Sequence, residues 1–258
     1  MDAAKPTKTA TPAPATPSTQ TTPAMSVTDV TVSYGATLAI EHATFTVPVG
    51  SVMGLIGPNG AGKSTIIKAG LELMDHTGDV RFFGKTLEEV RRKVAYMPQV
   101  AAVDWDYPIT VEQVVTMGMY TELGWLRRAN AAHRSRVMEV LDRVGIADLA
   151  KRQISELSGG QRRRVFVARI LVQAPELYLL DEPFAGVDAA SERVIRGVLH
   201  ELRDQGATIV IVHHDLSTVA ELCDHVTILN REIIATGPTS EAFTRENITK
   251  AFGLGLLE

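Results

Sequence analysis

A glycine-rich loop that ends in a lysine and two hydroxyl residues carries the most evident chemistry of this sequence. The loop, residues 57–65, follows the short apolar segment Val52–Ile56. Its glycines let backbone amides approach phosphate oxygens closely, Lys63 supplies a point charge for the β- and γ-phosphates, and the Ser64 hydroxyl can ligate Mg²⁺. Thr65 is expected to add a phosphate hydrogen bond. The predicted phosphate contacts are Gly57, Pro58, Asn59, Gly60, Ala61, Gly62, Lys63, Ser64 and Thr65.

Two adjacent carboxylates, Asp181 and Glu182, follow a second apolar run, Leu177–Leu180. Such a run is typical of a buried strand, and ligands in open α/β sheets bind at the carboxyl edge of the strands. We expect Asp181 to hold the magnesium shell and Glu182 to polarise the water that attacks the γ-phosphate. The alternative is that an acidic residue caps a helix, but Pro183 and the delay before the next helix argue against it.

A second glycine turn, Leu157–Gln161, reads Leu-Ser-Gly-Gly-Gln and precedes a predicted helix. A plain helix start with Ser158 as its N-cap explains the serine. That account leaves the two adjacent glycines and the glutamine without a reason, so the turn is a candidate second phosphate contact.

The elements around these loops alternate between strand and helix. Apolar alternation predicts strands within 27–56, and a helix is expected to start near Lys63. From about 100 to 165 the pattern becomes helical, with Val137, Val140, Leu141 and Val144 at the spacing of an amphipathic helix. Further predictions are strands at Asp79–Phe83, Val94–Met97 and Thr208–Val212, helices at Gly160–Gln173 and 189–204, and a hairpin of Val226–Leu229 with Glu232–Ala235 around Asn230–Arg231. The sequence thus predicts an α/β core with a parallel sheet, interrupted by a helical insertion.

Composition sets the remaining limits. The 258 residues carry a net charge of −4, which gives no electrostatic footprint for nucleic acid. The one cysteine, Cys223, excludes an internal disulfide and is expected to be buried rather than reactive. Residues 1–25 form a Thr/Ala/Pro-rich segment predicted to be a disordered tail, and 26–258 are predicted to form one domain. No apolar run is long enough to span a bilayer, so we expect a partner to hold the protein at any membrane where it works.

These motifs, in this order over residues 26–235, resemble the ABC ATPase superfamily. The resemblance implies a P-loop NTPase core of the ABC type with an antiparallel β subdomain, and ATP and Mg²⁺ as ligands. It identifies Leu157–Gln161 with the family signature. Ser158, Gly159, Gly160 and Gln161 would then contact ATP bound by the other subunit of a homodimer, which would hold two ATP molecules at its interface.

Other positions match the family pattern individually. Tyr34 resembles the aromatic residue that stacks on adenine, although a core aromatic in a strand is an alternative. Gln99 resembles the glutamine that touches magnesium and links the site to the helical insertion. Asp188 is the residue kept from the dimer-contact loop, and His214 resembles the histidine that senses the γ-phosphate. His213 stands where many relatives have threonine.

A narrower resemblance, carried mainly by residues 96–127, is to the ATPases of manganese, zinc and iron importers. It implies a motor subunit at the cytoplasmic face of the membrane, peripheral to an integral permease, with an extracytoplasmic solute-binding protein delivering the metal. The stretch Asp104–Pro108 suits either a groove for a partner helix or a plain loop with a buried tryptophan. Alternatives are a transporter of another solute and an ABC ATPase that acts on DNA or ribosomes. A GTP switch is disfavoured because an Asn-Lys-x-Asp motif is absent from the sequence.

Overall fold

Two β-sheets and the helices around them form the fold. The computed structural model describes residues 22–99, 107–124, 129–213 and 215–253. The strands are β1 (Met25–Tyr34), β2 (Thr37–Val47), β3 (Val52–Ile56), β4 (Thr77–Phe82), β5 (Val94–Met97), β6 (Leu177–Asp181), β7 (Thr208–His213), β8 (His225–Asn230) and β9 (Glu232–Pro238). The helices are α1 (Lys63–Gly70), α2 (Leu87–Val90), α3 (Val111–Thr116), α4 (Tyr120–Leu123), α5 (Ala131–Arg143), α6 (Gly159–Leu171), α7 (Ala189–Asp204), α8 (Val219–Leu222), α9 (Thr239–Ala242) and α10 (Arg245–Phe252).

The larger sheet has six strands in the order β5-β6-β7-β3-β8-β9. Its strands run parallel except for β9, which pairs antiparallel with β8. Every residue of β3, β6 and β7 is buried, as expected for strands of a parallel sheet that is covered on both faces. Because these strands share one direction, the segments that follow β3, β5 and β6 leave the sheet at the same edge. The predicted α/β core is confirmed.

The smaller sheet is antiparallel, with the order β2-β1-β4. Its apolar residues share a core with α1 and with one face of the larger sheet. Met25, the last residue of the predicted tail, lies in β1 with a fully buried side chain next to Gly70 and Phe82 in this core. Residues 1–21 of that predicted tail lie outside the described part of the chain.

Helices α3, α4 and α5 lie between β5 and α6 and form the helical insertion. Val137, Val140 and Leu141 face inward from α5, so the predicted amphipathic helix is confirmed. Thr110 and Asn130 begin α3 and α5 with capping boxes, which satisfy amides that helices leave unpaired at their starts. The stretch Asp104–Pro108, expected to be either a partner groove or a plain loop, lies outside the described residues at 104–106, so neither alternative is tested.

In the C-terminal part, two predictions are confirmed, the hairpin and the burial of Cys223, while the helices α8, α9 and α10 were not predicted. Strands β8 and β9 form the predicted hairpin. Helix α10 packs beside it through buried Ile248 and Ala251, and the Asn230 amide donates to the Ala251 carbonyl. Cys223 is buried as expected, and burial raises the pKa of its thiol to about 12. Within the described ranges, no helix has the length and apolarity that crossing a membrane requires.

Candidate nucleotide site

A cleft of about 580 Å³ lies at the sheet edge where β3, β5 and β6 end. Five parts of the chain meet there: the glycine loop, the small antiparallel sheet, the end of β5, the end of β6 and the β8–β9 turn. The described lining residues are Tyr34, Thr37, Leu38, Ala39, Asn59, Gly60, Ala61, Gly62, Lys63, Ser64, Thr65, Gln99, Glu182 and Arg231. Most of the loop predicted from sequence therefore faces one concave site.

The glycine loop runs from β3 into the first turn of α1. Gly62 precedes the helix with a φ of 96°, a conformation that side chains disfavour, and a Cβ there would collide with Ile40. No side chain of the described residues caps α1, and no acidic residue lies in its first turn. The amides at this helix start are thus available to an anion, which the helix dipole also favours.

Lys63 is held inside the loop, with only 5% of the residue exposed. Its ammonium donates hydrogen bonds of 2.8 Å to the carbonyl oxygens of Gly57 and Pro58. Burial lowers the pKa of this ammonium, while the nearby carboxylates Glu182 and Asp181 oppose that shift. The arrangement places a positive charge at the floor of the cleft.

Two hydrogen bonds join the glycine loop and the ends of β5 and β6. The Ser64 hydroxyl donates to Oδ1 of Asp181 at 2.8 Å, and Nε2 of Gln99 donates to Oε2 of Glu182 at 2.9 Å. Asp181 is 1% exposed, and burial raises the pKa of its carboxyl, against the effect of the Ser64 hydrogen bond. Glu182 does not begin a helix: α7 starts only at Ala189, so the helix-cap alternative for the carboxylate pair is excluded.

Tyr34 presents its ring to the cleft and is 52% exposed. Its hydroxyl lies 3.4 Å from the Thr65 hydroxyl and donates to the Met74 sulfur at 3.3 Å. The alternative of a core aromatic is therefore wrong, and the ring is placed where a flat base can stack on it.

The second glycine turn begins α6. Its glutamine and one of its glycines have local structural roles that the sequence analysis did not recognise. Gln161 accepts from the Ser158 amide at 2.9 Å and its own amide donates to the Ser158 hydroxyl at 3.3 Å, which is a capping box. A Cβ at Gly160 would collide with Asp188 and Ser191. The argument that a helix start cannot explain the glutamine was wrong, because the glutamine is part of the cap.

The second glycine turn, Leu157–Gln161, is called the signature turn from here on. It does not face this chain's own cleft, because none of the described lining residues belongs to it. Ser158 and Gly159 are exposed instead. Asp188 lies beside them as the N-cap of α7, where it accepts from the amide of Ser191 at 2.8 Å. These residues form one surface at the starts of α6 and α7.

Of the neighbouring histidines His213 and His214, only His213 is among the described residues. Ring nitrogen Nε2 of His213 lies 2.7 Å from the Thr218 hydroxyl, and the ring packs edge-on against Phe184. His213 is buried and is absent from the described lining of the cleft. His214 lies outside the described residues, so its predicted contact with the γ-phosphate stays a prediction.

Comparison with known proteins identifies the family. The family model described as ABC transporter matches residues 40–185. The manganese transport system ATP-binding protein MntB of Halalkalibacterium halodurans is 46% identical over 230 residues, covering 89% of this chain and 92% of that protein. The chain belongs to the ABC transporter family.

Other relatives agree with this membership. The zinc transport system ATP-binding protein TroB of Treponema pallidum is 48% identical, with 89% of this chain and 87% of that protein covered. A solved metal-chelate type ABC transporter in an inward-facing conformation matches at 26% identity with a TM-score of 0.79, covering 89% of this chain and 88% of that one. As an ABC protein with this nucleotide cleft, the chain is an ATPase.

Two arginines of this ABC ATPase contact the site without having been predicted. Arg231 lines the cleft from the β8–β9 turn, and its amide donates to the carbonyl of Ala61 at 3.0 Å. Arg163 on α6 donates to the Glu182 carbonyl at 2.6 Å. The sequence placed Arg231 only in a turn, and Arg163 stands between two other arginines with no pattern that distinguishes it.

Proposed function

We propose that this chain is the ATP-hydrolysing motor subunit of an importer for a divalent transition metal, namely manganese, zinc or iron. The observation that carries the hydrolytic part is the pair of hydrogen bonds Ser64–Asp181 and Gln99–Glu182, which gathers the loop and both carboxylates at one cleft. The metal cargo is supported by relatives named for manganese and zinc transport. The subunit would lie at the cytoplasmic face of the membrane, attached to an integral permease.

ATP binding follows from the contents of the cleft. The loop amides and the start of α1 would hold the phosphates, with Lys63 as their charge partner and Thr65 as a further hydrogen-bond donor. Tyr34 would stack on adenine. Arg231 adds a cation near the nucleotide from the β8–β9 turn.

The donor set fits Mg²⁺, which prefers oxygen ligands and keeps water and phosphate oxygens in its shell. Ser64, Gln99 and Asp181 would supply the protein oxygens, and Asp181 is a buried carboxylate already held by the Ser64 hydroxyl. The described residues contain no group of three or more His, Cys, Asp or Glu side chains that could hold a metal ion by themselves. That suits an ion held largely by the nucleotide. When bound, Mg²⁺ neutralises charge on the phosphates.

Hydrolysis would use Glu182 as the group that accepts a proton from the attacking water. Gln99 would hold one oxygen of that carboxylate, and the backbone of Glu182 is fixed because its amide donates to the Val212 carbonyl at 3.1 Å. His214 would contact the γ-phosphate. Most of the rate gain in phosphoryl transfer comes from such positioning and charge stabilisation.

A homodimer would complete two such sites. Ser158, Gly159, Gly160 and Gln161 would contact ATP bound by the partner subunit, with Asp188 beside them, which accords with their absence from the described lining of this chain's own cleft. Closure on ATP would act through Gln99 and the helical insertion on the permease. An extracytoplasmic solute-binding protein would deliver the metal.

The test is whole-cell manganese, zinc and iron content, measured by elemental mass spectrometry under metal limitation. Cells with Glu182→Gln are compared with wild-type cells and with cells carrying Glu176→Gln, an exposed glutamate that pairs with Lys93. We expect one metal to fall selectively in Glu182→Gln only. Three unchanged values in cells that lack a second importer would favour another solute, which is the main alternative function.

A further inference from the structure

Arg163 is a buried cation that the proposed chemistry does not yet use. It is the fifth residue of α6 and only 4% of it is exposed. Its Nη2 donates to the carbonyl oxygen of Glu182 at 2.6 Å and to that of Ala185 at 3.3 Å. Burying a guanidinium is unfavourable unless its surroundings compensate the charge. The carboxylates of Asp181 and Glu182 lie close enough to stabilise it electrostatically.

The backbone that Arg163 contacts is in an unfavourable conformation. Glu182 has a φ of 50°, in the left-handed region that a residue with a side chain rarely adopts. Its amide donates to the Val212 carbonyl, and its carbonyl also accepts from the Ala185 amide at 3.2 Å. Such a conformation persists only where the surroundings hold it. Arg163 provides the charged donor at this point.

We propose that Arg163 is a positioning residue that fixes the backbone of Glu182 and thereby directs its carboxylate towards Gln99 and the cleft. This inference rests on the proposed role of Glu182 in hydrolysis. The guanidinium suits the task because one of its nitrogens, Nη2, reaches the carbonyl oxygens of Glu182 and Ala185 in a single turn from a rigid, planar and permanently charged group.

The same contact connects α6, the helix that begins at the signature turn, with Glu182. Helix α6 begins at the signature turn, which is proposed to contact the partner's ATP, and Arg163 lies one turn further along it. Arg163 therefore links the helix proposed to contact the partner's ATP to Glu182, the residue proposed to act on the ATP of this chain's own cleft. A shift of α6 on dimer closure would change the geometry of Glu182 directly.

Arg164, the next residue, offers a matched control. Its Nη1 donates to the carbonyl oxygens of Val144 and Gly145 at 3.2 and 3.0 Å, so it also joins α6 to a turn. Those carbonyls lie at the end of α5, in a different turn from the one that Arg163 contacts. Replacement by methionine removes two carbonyl hydrogen bonds at either position and keeps a long apolar stem.

The experiment compares steady-state ATPase kinetics and thermal unfolding of the full-length wild type, Arg163→Met, Arg163→Lys and Arg164→Met. For Arg163→Met we expect kcat to fall by about tenfold or more, with KM for ATP within about twofold of wild type, because an interaction needed only in the transition state is lost. Arg163→Lys is expected to recover part of the rate. Arg164→Met is expected to keep kcat within about twofold even where its Tm falls.

The single variant Glu182→Gln, assayed beside the arginine variants, separates this inference from the proposed function. Equal kcat values for Arg163→Met and Arg164→Met, with Glu182→Gln inactive, would overturn the positioning role and leave the proposed base in place. A fully active Glu182→Gln would instead remove the base assignment itself. Should Arg163→Met fail to fold, the Arg163→Lys variant decides by the same comparison.

Discussion

Gln99 donates a 2.9 Å hydrogen bond from Nε2 to Oε2 of Glu182, across the edge between two neighbouring strands. The residues come from chain segments 83 positions apart, after β5 and after β6. Since the chain runs from Gln99 towards the helical insertion, a movement of that insertion would reach the Glu182 carboxylate through one amide. The pair would then link the helical part of the molecule directly to the proposed hydrolytic site.

The first prediction concerns this amide. Gln99→Glu places a second carboxylate within hydrogen-bond distance of Glu182, and two neighbouring carboxylates resist joint ionisation. We expect kcat at pH 7 to fall by about tenfold and to recover in part as pH rises, because the pair then ionises fully. The measurement is the pH dependence of kcat. Gln113→Glu is the control, since Gln113 is in the capping box of α3, where glutamate serves equally well.

An acid limb of the pH profile that is the same in wild type and Gln99→Glu would contradict this prediction. It would mean that the amide and the carboxylate separate before hydrolysis.

The sequence predicts the strands of the central sheet because their burial shows in continuous apolar runs. Examples are Val52–Ile56, which the glycine loop follows, and Leu177–Asp181, which Glu182 follows. No such pattern in the sequence indicates the direction in which a single long side chain points. Arg162, Arg163 and Arg164 are identical neighbours, yet they donate to the carbonyls of Ser155, Glu182 and Val144, three separate parts of the fold. Only tertiary packing decides that Arg163 is the one that reaches the backbone carbonyl of Glu182.

The signature turn illustrates a different limit. Its residue types match an intermolecular role, but Gln161 and Gly160 also satisfy local requirements, the cap of α6 and the close approach of Asp188. A sequence motif alone does not show whether a residue serves the local structure, an intermolecular contact or both. Helix α10 was missed because only Ile248 and Ala251 of its residues are buried, which is too few for a clear period.

The second prediction is that Asp181→Asn stabilises the nucleotide-free protein while it abolishes Mg²⁺-dependent hydrolysis. Burial raises the pKa of Asp181 above its unfolded value, so the ionised form destabilises the fold. That penalty is fully present above the folded-state pKa and disappears as pH falls below the unfolded value. Asparagine removes the charge and still accepts from Ser64. Each kcal/mol recovered raises Tm by about 2–4 °C.

Thermal unfolding without nucleotide, from pH 8 downwards, checks this prediction. The Tm difference between Asp181→Asn and wild type is expected to be largest at pH 8 and to shrink as pH falls towards 3.8, the ordinary pKa of the carboxyl. Asp148→Asn, an exposed aspartate outside the cleft, controls for a loss of one negative charge. A variant less stable than wild type at pH 8 would show that the ionised carboxylate is well compensated.

The third prediction concerns the exposed ring of Tyr34. Stacking of a base on an aromatic side chain contributes about 1–3 kcal/mol, so Tyr34→Ala is expected to weaken ATP binding by roughly tenfold. Tyr34→Phe keeps the ring and loses the hydroxyl contacts to Thr65 and Met74. We expect it to bind ATP nearly as well as wild type in titration calorimetry. Tyr120→Ala, which removes a similarly exposed tyrosine away from the cleft, is the control.

If Tyr34→Phe loses as much affinity as Tyr34→Ala, the ring does not stack on the base. The hydroxyl would then act by ordering Thr65, at the start of α1.

The fourth prediction separates two roles of Ser158, namely the cap of α6 and the proposed contact with the partner's ATP. Ser158 and Asn130 both cap helices of 13 residues, and both belong to capping boxes. Replacement of either by alanine is expected to cost about 1 kcal/mol of stability, because one helix-start amide loses its partner. If Ser158 also contacts the partner's ATP, only Ser158→Ala lowers the ATPase rate. Urea unfolding and steady-state hydrolysis on both variants make the comparison.

The role across the interface is tested further by Ser158→Arg, whose bulk would block a partner's nucleotide but not this chain's own cleft. We expect ATP to bind the monomer with wild-type affinity, while hydrolysis and ATP-dependent dimerisation in a Glu182→Gln background are lost. Loss of ATP binding by the monomer would place the signature turn at its own nucleotide. Equal ATPase rates for Ser158→Ala and Asn130→Ala, together with an active Ser158→Arg, would reduce the turn to a helix cap, because capping would then be its whole effect.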